Sequence, residues 1–482
     1  MSITSALSAA LNGLSASSRS AEVVSSNLAN MLTEGYAPRD IVLGARPDTK
    51  GVRVLGILRH VDERLLADRR MADAEASGAR IGVDFFGNME RVLGLPGDPA
   101  SLSARTATFE ASLITAASRP DEPVRLSQSV NAAAQLVRSL NAASDRIGVL
   151  RTQADADIDA TVQDMNRSLA QIAEMNLQII SAGSRGRSTA GLQDRRQTAI
   201  DRLASEVPII QSPRANGAVA LYTSGGSVLL DGRPATLEFT PSNLVAPHMS
   251  GQNGLLSGLA INGVAIDPLG DRSPIAGGRL AALFAQRDVA GVSAQARVDS
   301  LARNLVERFQ DPALDPTLSA GAAGLFTDGG AAFDPSDEVG LAGRLRINAA
   351  VDPAQGGAPW RLRDGIGAAS PGPAGSAALL TALHARLTAP DTLASGDLGG
   401  LQRSFAGHVS GLTSAMSLDT ATADQAMTFA EARRAELVTL EKEGGVDSDA
   451  EMQRLLVIEQ AYAANARMIQ TIDDLMQTLL RI

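Results

Sequence analysis

The residues best suited to metal binding or proton transfer are four histidines, His60, His248, His384 and His408. Two imidazoles on one helix face need a spacing of three or four residues to share a metal, and no two of these have it. They read as surface or satisfied-core residues, and no metal site is expected. From Asp155 the stretch DADIDATVQDMN opens like a calcium loop. Ala160 then stands where such a loop turns on glycine, and Asn166 where a bidentate glutamate closes it. A solvated helix face is the expectation there. GHVSG from Gly407 sets its serine one residue late for a nucleophile elbow. Asp473 and Asp474 are adjacent, so on a helix their carboxylates diverge by about 100°. Tyr36, in TEGYAP, reads as a packing residue at a turn rather than a catalyst. There is no phosphate loop, dinucleotide fingerprint or cysteine, so thiol, disulfide and nucleotide-cofactor chemistry lack a carrier. The chain is expected not to be an enzyme and to need no cofactor.

The bulk character points elsewhere. A chain of 482 residues is long enough for several domains. Aromatics are only 3%, so cores must be built from slim side chains, which favours close helix packing over aromatic pockets. A net charge of −10, with lysine confined to Lys50 and Lys442, argues against nucleic-acid binding, which needs clustered cations. No apolar run is long enough to span a membrane. MSITSALSAALNGLSASSRS lacks a basic start and a continuous apolar stretch, so it is not read as a secretory signal. The absence of cysteine fits life outside the cytosol, or a genome sparing with the residue.

The clearest pattern lies at the two ends. Ile3, Leu7, Ala10, Leu14, Ser17, Ala21, Val24, Leu28 and Met31 recur at alternating steps of four and three, a heptad stripe along one helix face. Gly35 and Pro38 break it. Leu455, Ile458, Tyr462, Asn465, Ile469, Ile472, Met476 and Leu479 repeat the pattern, with Asn465 a polar intruder in the seam. Asp447 or Ser448 can cap that helix, which would run about 50 Å to the end. Its last residues, Leu479, Leu480 and Ile482, need cover. Between the ends, helices are expected at about 64–80, 81–93, 101–118, 125–180, 192–205, 278–310, 379–387 and 398–443. Strands are expected from Val207 onward, in RLRINAAV, and at a hairpin on Asn262-Gly263.

SSNLANMLTEGYAPRD and GVDSDAEMQRLLVIEQAYAANARMIQTIDDLMQTLL resemble the two ends of the axial proteins of the bacterial flagellum. The residues carrying the likeness are Asn27, Asn30, Thr33, Gly35 and Tyr36 at one end. At the other they are Gly445, Val446, Asp449, Gln460, Ala461, Ala464 and Arg467, with Tyr462 and Ala466 between. HVDERLLADRRMADAEASG, LSARTATFEASLITAASRPDEPVRLSQSVNAAAQLVRSLNAASDRI and GGRLAALFAQRDVAGVSAQARVDSLARNLVERFQ narrow the resemblance to the hook-associated protein 1, or hook–filament junction, family. Leu32, Ala37-Pro38, Ser448 and Ala450 depart from its pattern.

The resemblance implies a structural adaptor in the extracellular flagellum, exported through the flagellar type III apparatus. Its implied partners are the hook protein, a second junction protein, copies of itself, and a cytosolic chaperone over the C-terminal helix. The expected fold is mainly α with β inserts, elongated, with a stem built from both chain ends. The expected domains are 1–60 with 445–482, a coiled-coil-like assembly unit; 61–205 with 278–310 and 396–444, a helical stem; and inserts at 206–277 and 311–395. The expected assembly residues are Ile3, Leu7, Leu14, Val24 and Leu28 with Leu455, Ile458, Tyr462, Ile469, Ile472, Met476 and Leu479. Alternatives are a hook or rod protein, a secreted axial scaffold carrying a hydrolase insert, or two stripes that simply close on each other in a stable monomer.

Overall fold

The computed structural model describes residues 3–33, 35–46, 51–95, 97–270 and 272–480; Ile482 lies outside them. The fold is mainly α with small inserted sheets, as the sequence suggests. Helix α1 (Ile3–Asn30) is followed by a hairpin of β1 (Arg39–Arg46) and β2 (Gly51–Arg59), then α2 (Glu63–Leu93), α3 (Leu102–Ser118), α4 (Pro123–Ser184) and α5 (Ala190–Glu206). Asp62 caps α2 through the N–H groups of Arg64 and Leu65, and Ser101 caps α3 through that of Ala104. Pro123 opens α4, where its missing N–H costs nothing. The 62 residues of α4 make a rod of roughly 93 Å.

Strands β3 (Ile209–Pro213), β4 (Val219–Thr223), β5 (Val228–Asp231) and β6 (Arg233–Pro234) form one antiparallel sheet. Strands β7 (Leu237–Glu238), β8 (Leu259–Ile261) and β9 (Val264–Ile266) form another. The β8–β9 turn has Asn262 at φ 52° and Gly263 at φ 76°, the two left-handed residues that a tight hairpin requires. Then come α6 (Gly278–Ala285), a single π turn at Gln286–Ala290, α7 (Gly291–Phe309), β10 (Phe326–Asp328), α8 (Leu341–Arg344), β11 (Leu345–Ile347), α9 (Arg361–Asp364), α10 (Ala378–Thr388), α11 (Phe405–Glu443) and α12 (Ser448–Leu480).

Two apolar cores share α4. The first gathers Leu126 to Leu150 of α4 with α3, α7, α10, the start of α11 and the β10–β11 ladder. Phe109, Phe309 and Phe326 meet there at ring separations of 5.2–6.2 Å. The second gathers Ala154 to Ile172 with α5, α6 and the strands from β3 to β8. Between them lies a buried charge cluster. Arg287, on the π turn, pairs with Asp155 at 2.5 Å and Asp288 at 2.7 Å. Arg151 donates to the carbonyls of Arg287, Ala246, Pro247 and Met249. Buried cations persist only with such complete partnering.

Four expectations need correction. Asp155 is not on a solvated face: it is fully buried, because Arg287, 132 residues later, supplies its counter-charge. The helices expected at 64–80 and 81–93 are one, the helix expected over 278–310 is interrupted by the π turn, and α11 starts at Phe405, where Ser404 caps it. The hairpin β1–β2 was not expected at all.

Candidate assembly interface

The turn after α1 is built around one side chain. Asn27 is fully buried. Its Oδ1 accepts from the Tyr36 hydroxyl (2.8 Å) and the Arg39 N–H (3.1 Å), and its Nδ2 donates to the Arg39 carbonyl (2.9 Å). Asn30 Nδ2 donates to the Ser26 carbonyl, and the Thr33 hydroxyl donates to Asn30 Oδ1. The Arg39 guanidinium lies 4.6 Å over the Tyr36 ring. Gly35 has φ 77°, and a Cβ there would sit 2.6 Å from the Thr198 hydroxyl on α5, so only glycine fits. Arg39 and Arg59 both pair with Asp194 of α5. Tyr36 is thus a strut of the turn, and the motif folds β1 back along α1 while tying it to the body.

At the other end Asp447 caps α12, its Oδ1 accepting from the N–H groups of Asp449 (2.9 Å) and Ala450 (3.2 Å). Gly445 and Val446 make the link from α11, and Asp449 stands exposed in the first turn, where the helix dipole favours a carboxylate. Helix α12 packs along α1. Gly13 lets Asn465 approach: a Cβ on Gly13 would lie 2.7 Å from Asn465 Oδ1.

This packing covers the two stripes unevenly. Val24 and Ile472 are buried. Ile3, Leu7, Leu14, Leu28, Leu455, Ile458 and Ile469 are half-buried, and Tyr462, Met476 and Leu479 are exposed. Sequence reasoning missed a second seam. Val457, Ala461, Ala464, Met468 and Leu475 also step by fours, threes and sevens, and all are exposed. At about 100° per residue this seam lies roughly 110° around α12 from the one on α1. Gln460 and Arg467 flank it, also exposed. The signal was present in the same heptad arithmetic read from a different starting residue.

No catalytic constellation emerges from the histidines. His60 pairs with Asp40 at 2.8 Å, His408 contacts the Asp391 carbonyl at 2.8 Å, and His384 lies 3.7 Å from Glu110. Among the described residues no cluster of His, Asp and Glu is arranged to hold a metal, and no helix is long and apolar enough to cross a membrane.

Known families match the same three regions. The flagellar hook-associated protein FlgK helical domain matches residues 86–313. The flagellar basal body rod FlgEFG protein C-terminal family matches 443–482, and the flagella basal body rod protein family matches 7–36. Flagellar hook-associated protein 1 of Bacillus subtilis is 22% identical over 508 residues, covering 98% of this chain and 97% of that one. Its counterpart in Salmonella typhimurium is 25% identical over 243 residues, 48% of this chain and less than half, 44%, of its own. The flagellar hook junction protein FlgK of Burkholderia pseudomallei gives a TM-score of 0.44 at 22% identity, over 54% of this chain and 46% of that one. Both ends match rod-type families, the body between them matches a hook-associated helical domain, and one relative aligns almost end to end, so the chain is similar along its whole length to flagellar hook-associated protein 1.

Proposed function

We propose that this protein is the adaptor at the hook–filament junction, and that it assembles by closing the open faces of α1 and α12 against neighbouring subunits. The observation that carries this is the second seam: α12 uses one apolar stripe on α1 and leaves another, with the motif residues Gln460, Ala461, Ala464 and Arg467, uncovered. A helix with two seams needs two neighbours, and this chain supplies one. Ordering each residue costs about 1–2 kcal/mol of backbone entropy, and roughly 25 cal/mol per Å² of apolar surface offsets it only once that surface is covered.

In this reading 1–60 with 445–482 is the assembly unit, 61–205 with 278–310 and 396–444 the stem, and 206–277 and 311–395 the inserts. Ile3, Leu7, Leu14, Val24, Leu28, Leu455, Ile458, Tyr462, Ile469, Ile472, Met476 and Leu479 hold the unit together and to its neighbours. The hook lies on one side and a second junction protein on the other. The chain leaves the cell through the flagellar type III apparatus, with a chaperone over α12 until export.

Removing the residues after Asp449 tests this. The remainder is expected to stay folded and soluble, with an unchanged urea midpoint, and to be lost from hook–filament junctions. Truncated protein that still built junctions would refute the reading. Because both end families are rod types, a rod or hook position is the competing assignment, and immunolabelling along the isolated flagellum separates them.

A further inference from the structure

The β1–β2 hairpin lies within the assembly unit but is given no contact of its own in the reading above, and it carries an exposed apolar set. It rests on α1, with Gly51 against Ala9 and Asn12, and Arg39 against Asn27. Leu43, Leu55 and Ile57 stay exposed, at 46%, 53% and 39%, and Leu55 lies across Gly44. A lone two-stranded hairpin is marginal in water, so leaving such residues open needs a reason.

Helix α1 is covered on two flanks by different elements, the hairpin at Asn12 and Asn27 and α12 at Gly13. The unit therefore presents two unlike apolar faces. Their lengths agree. The nine residues of β2 span about 30 Å at 3.3 Å each, and the seam from Val457 to Leu475 spans about 27 Å at 1.5 Å per residue. Their charges oppose. Residues 39–59 hold five basic and two acidic residues, of which Arg39 and Arg59 are already paired with Asp194, whereas α12 holds five acidic and two basic. Arg53 on the hairpin and Glu459 and Asp473 on α12 are exposed.

We infer that the hairpin of one copy receives the outward seam of α12 from the next copy. A contact between two different faces of one chain is heterologous, so it propagates around a ring or helix instead of ending at a dimer. The inference rests on the assembly reading and gives it a direction: each subunit offers the hairpin on one side and α12 on the other.

The chain has no cysteine, so introduced thiols report cleanly. Full-length L55C and M468C chains are co-expressed in cells lacking the native protein, and the isolated flagella are mildly oxidised. A disulfide-linked dimer is expected only when both variants are present, and a ladder of multimers when one chain carries both substitutions. I57C with L475C serves as a second pair should the first be poorly incorporated. Dimers from either single variant alone would show a like-to-like contact and overturn the inference. So would flagella that contain the chains but yield neither crosslink; the assembly reading would survive that result. Flagella without the chain would sink the assembly reading, and this contact with it.

Discussion

Two long helix pairs in this molecule differ in how they are finished. Helices α2 and α11 pack along much of their length, as do α1 and α12. In the first pair Phe85, Met89 and Leu93 join Leu412 and Met416 in the first core. Farther along, charge takes over. Arg69 pairs with Asp73 at 2.5 Å and with Asp201 and Glu441 at 2.7 Å, Arg434 pairs with Asp73 and Arg80 with Glu431. In the second pair α1 contributes only Arg19 and Glu22 as charges, and the contact is apolar and half-covered. Directional, mutually satisfied charges close an interface within one chain, whereas an apolar stripe is indifferent to whose side chain covers it. The body's charged and apolar contacts are thus closed within the chain, whereas much of the apolar surface of α12 stays exposed.

The sharpest way to break this contrast is to unpick the charged pair. Arg69→Met leaves Asp73, Asp201 and Glu441 facing one another, and burial already pushes the Glu441 carboxyl above its usual range. The body is expected to lose about 3 kcal/mol in urea titration, in line with removing one partner of a poorly solvated ion pair, while α12 remains as protease-sensitive as before. A loss below about 0.5 kcal/mol would mean the charges are ornamental.

A smaller effect is expected from the apolar pair. Gly13→Leu overfills the gap against Asn465 at a cost of about 1–3 kcal/mol, confined to the docking of α12. Proteolysis within 448–480 should quicken with no change in the body's urea midpoint, and adding Asn465→Ala should restore the parent rate. If the body's midpoint moved too, the pairs would be coupled and the comparison too simple.

The smallest effect is one of pH. Burial, opposed by the N–H groups of Ala342 and Gly340, raises the Asp299 carboxyl from 3.8 to about 6. The folded body then binds more protons than the unfolded chain between these values, so its stability falls as pH rises from about 4 to 6. Asp299→Asn should flatten that slope in pH-dependent melting. The cleavage rate of α12 should not follow it.

Much of this was readable beforehand, and the misses have physical causes. The cap at Asp447, the Asn262-Gly263 hairpin and helix α3 announce themselves through local rules, because their partners are only a few residues away. The β1–β2 hairpin escaped because its alternation is interrupted by the register shift at Val42/Leu43 and by Gly44 and Gly56. Asp155 was misjudged because the cation that permits its burial is remote in sequence. The α1-facing stripe was legible from its period, but periodicity alone does not say whether one neighbour or two will use a helix, so the seam from Val457 to Leu475 went unread. The turn motif was legible as a motif; that Asn27 is its keystone required coordinates.

Helix α4 passes unbroken through both cores, so no loop interrupts the body between them. A twisting load applied at one core must be handed to the other through a continuous strut. Compliance is then left to connections outside it, such as the Gly444-Gly445 step between α11 and α12, which makes the molecule stiffest along its shaft.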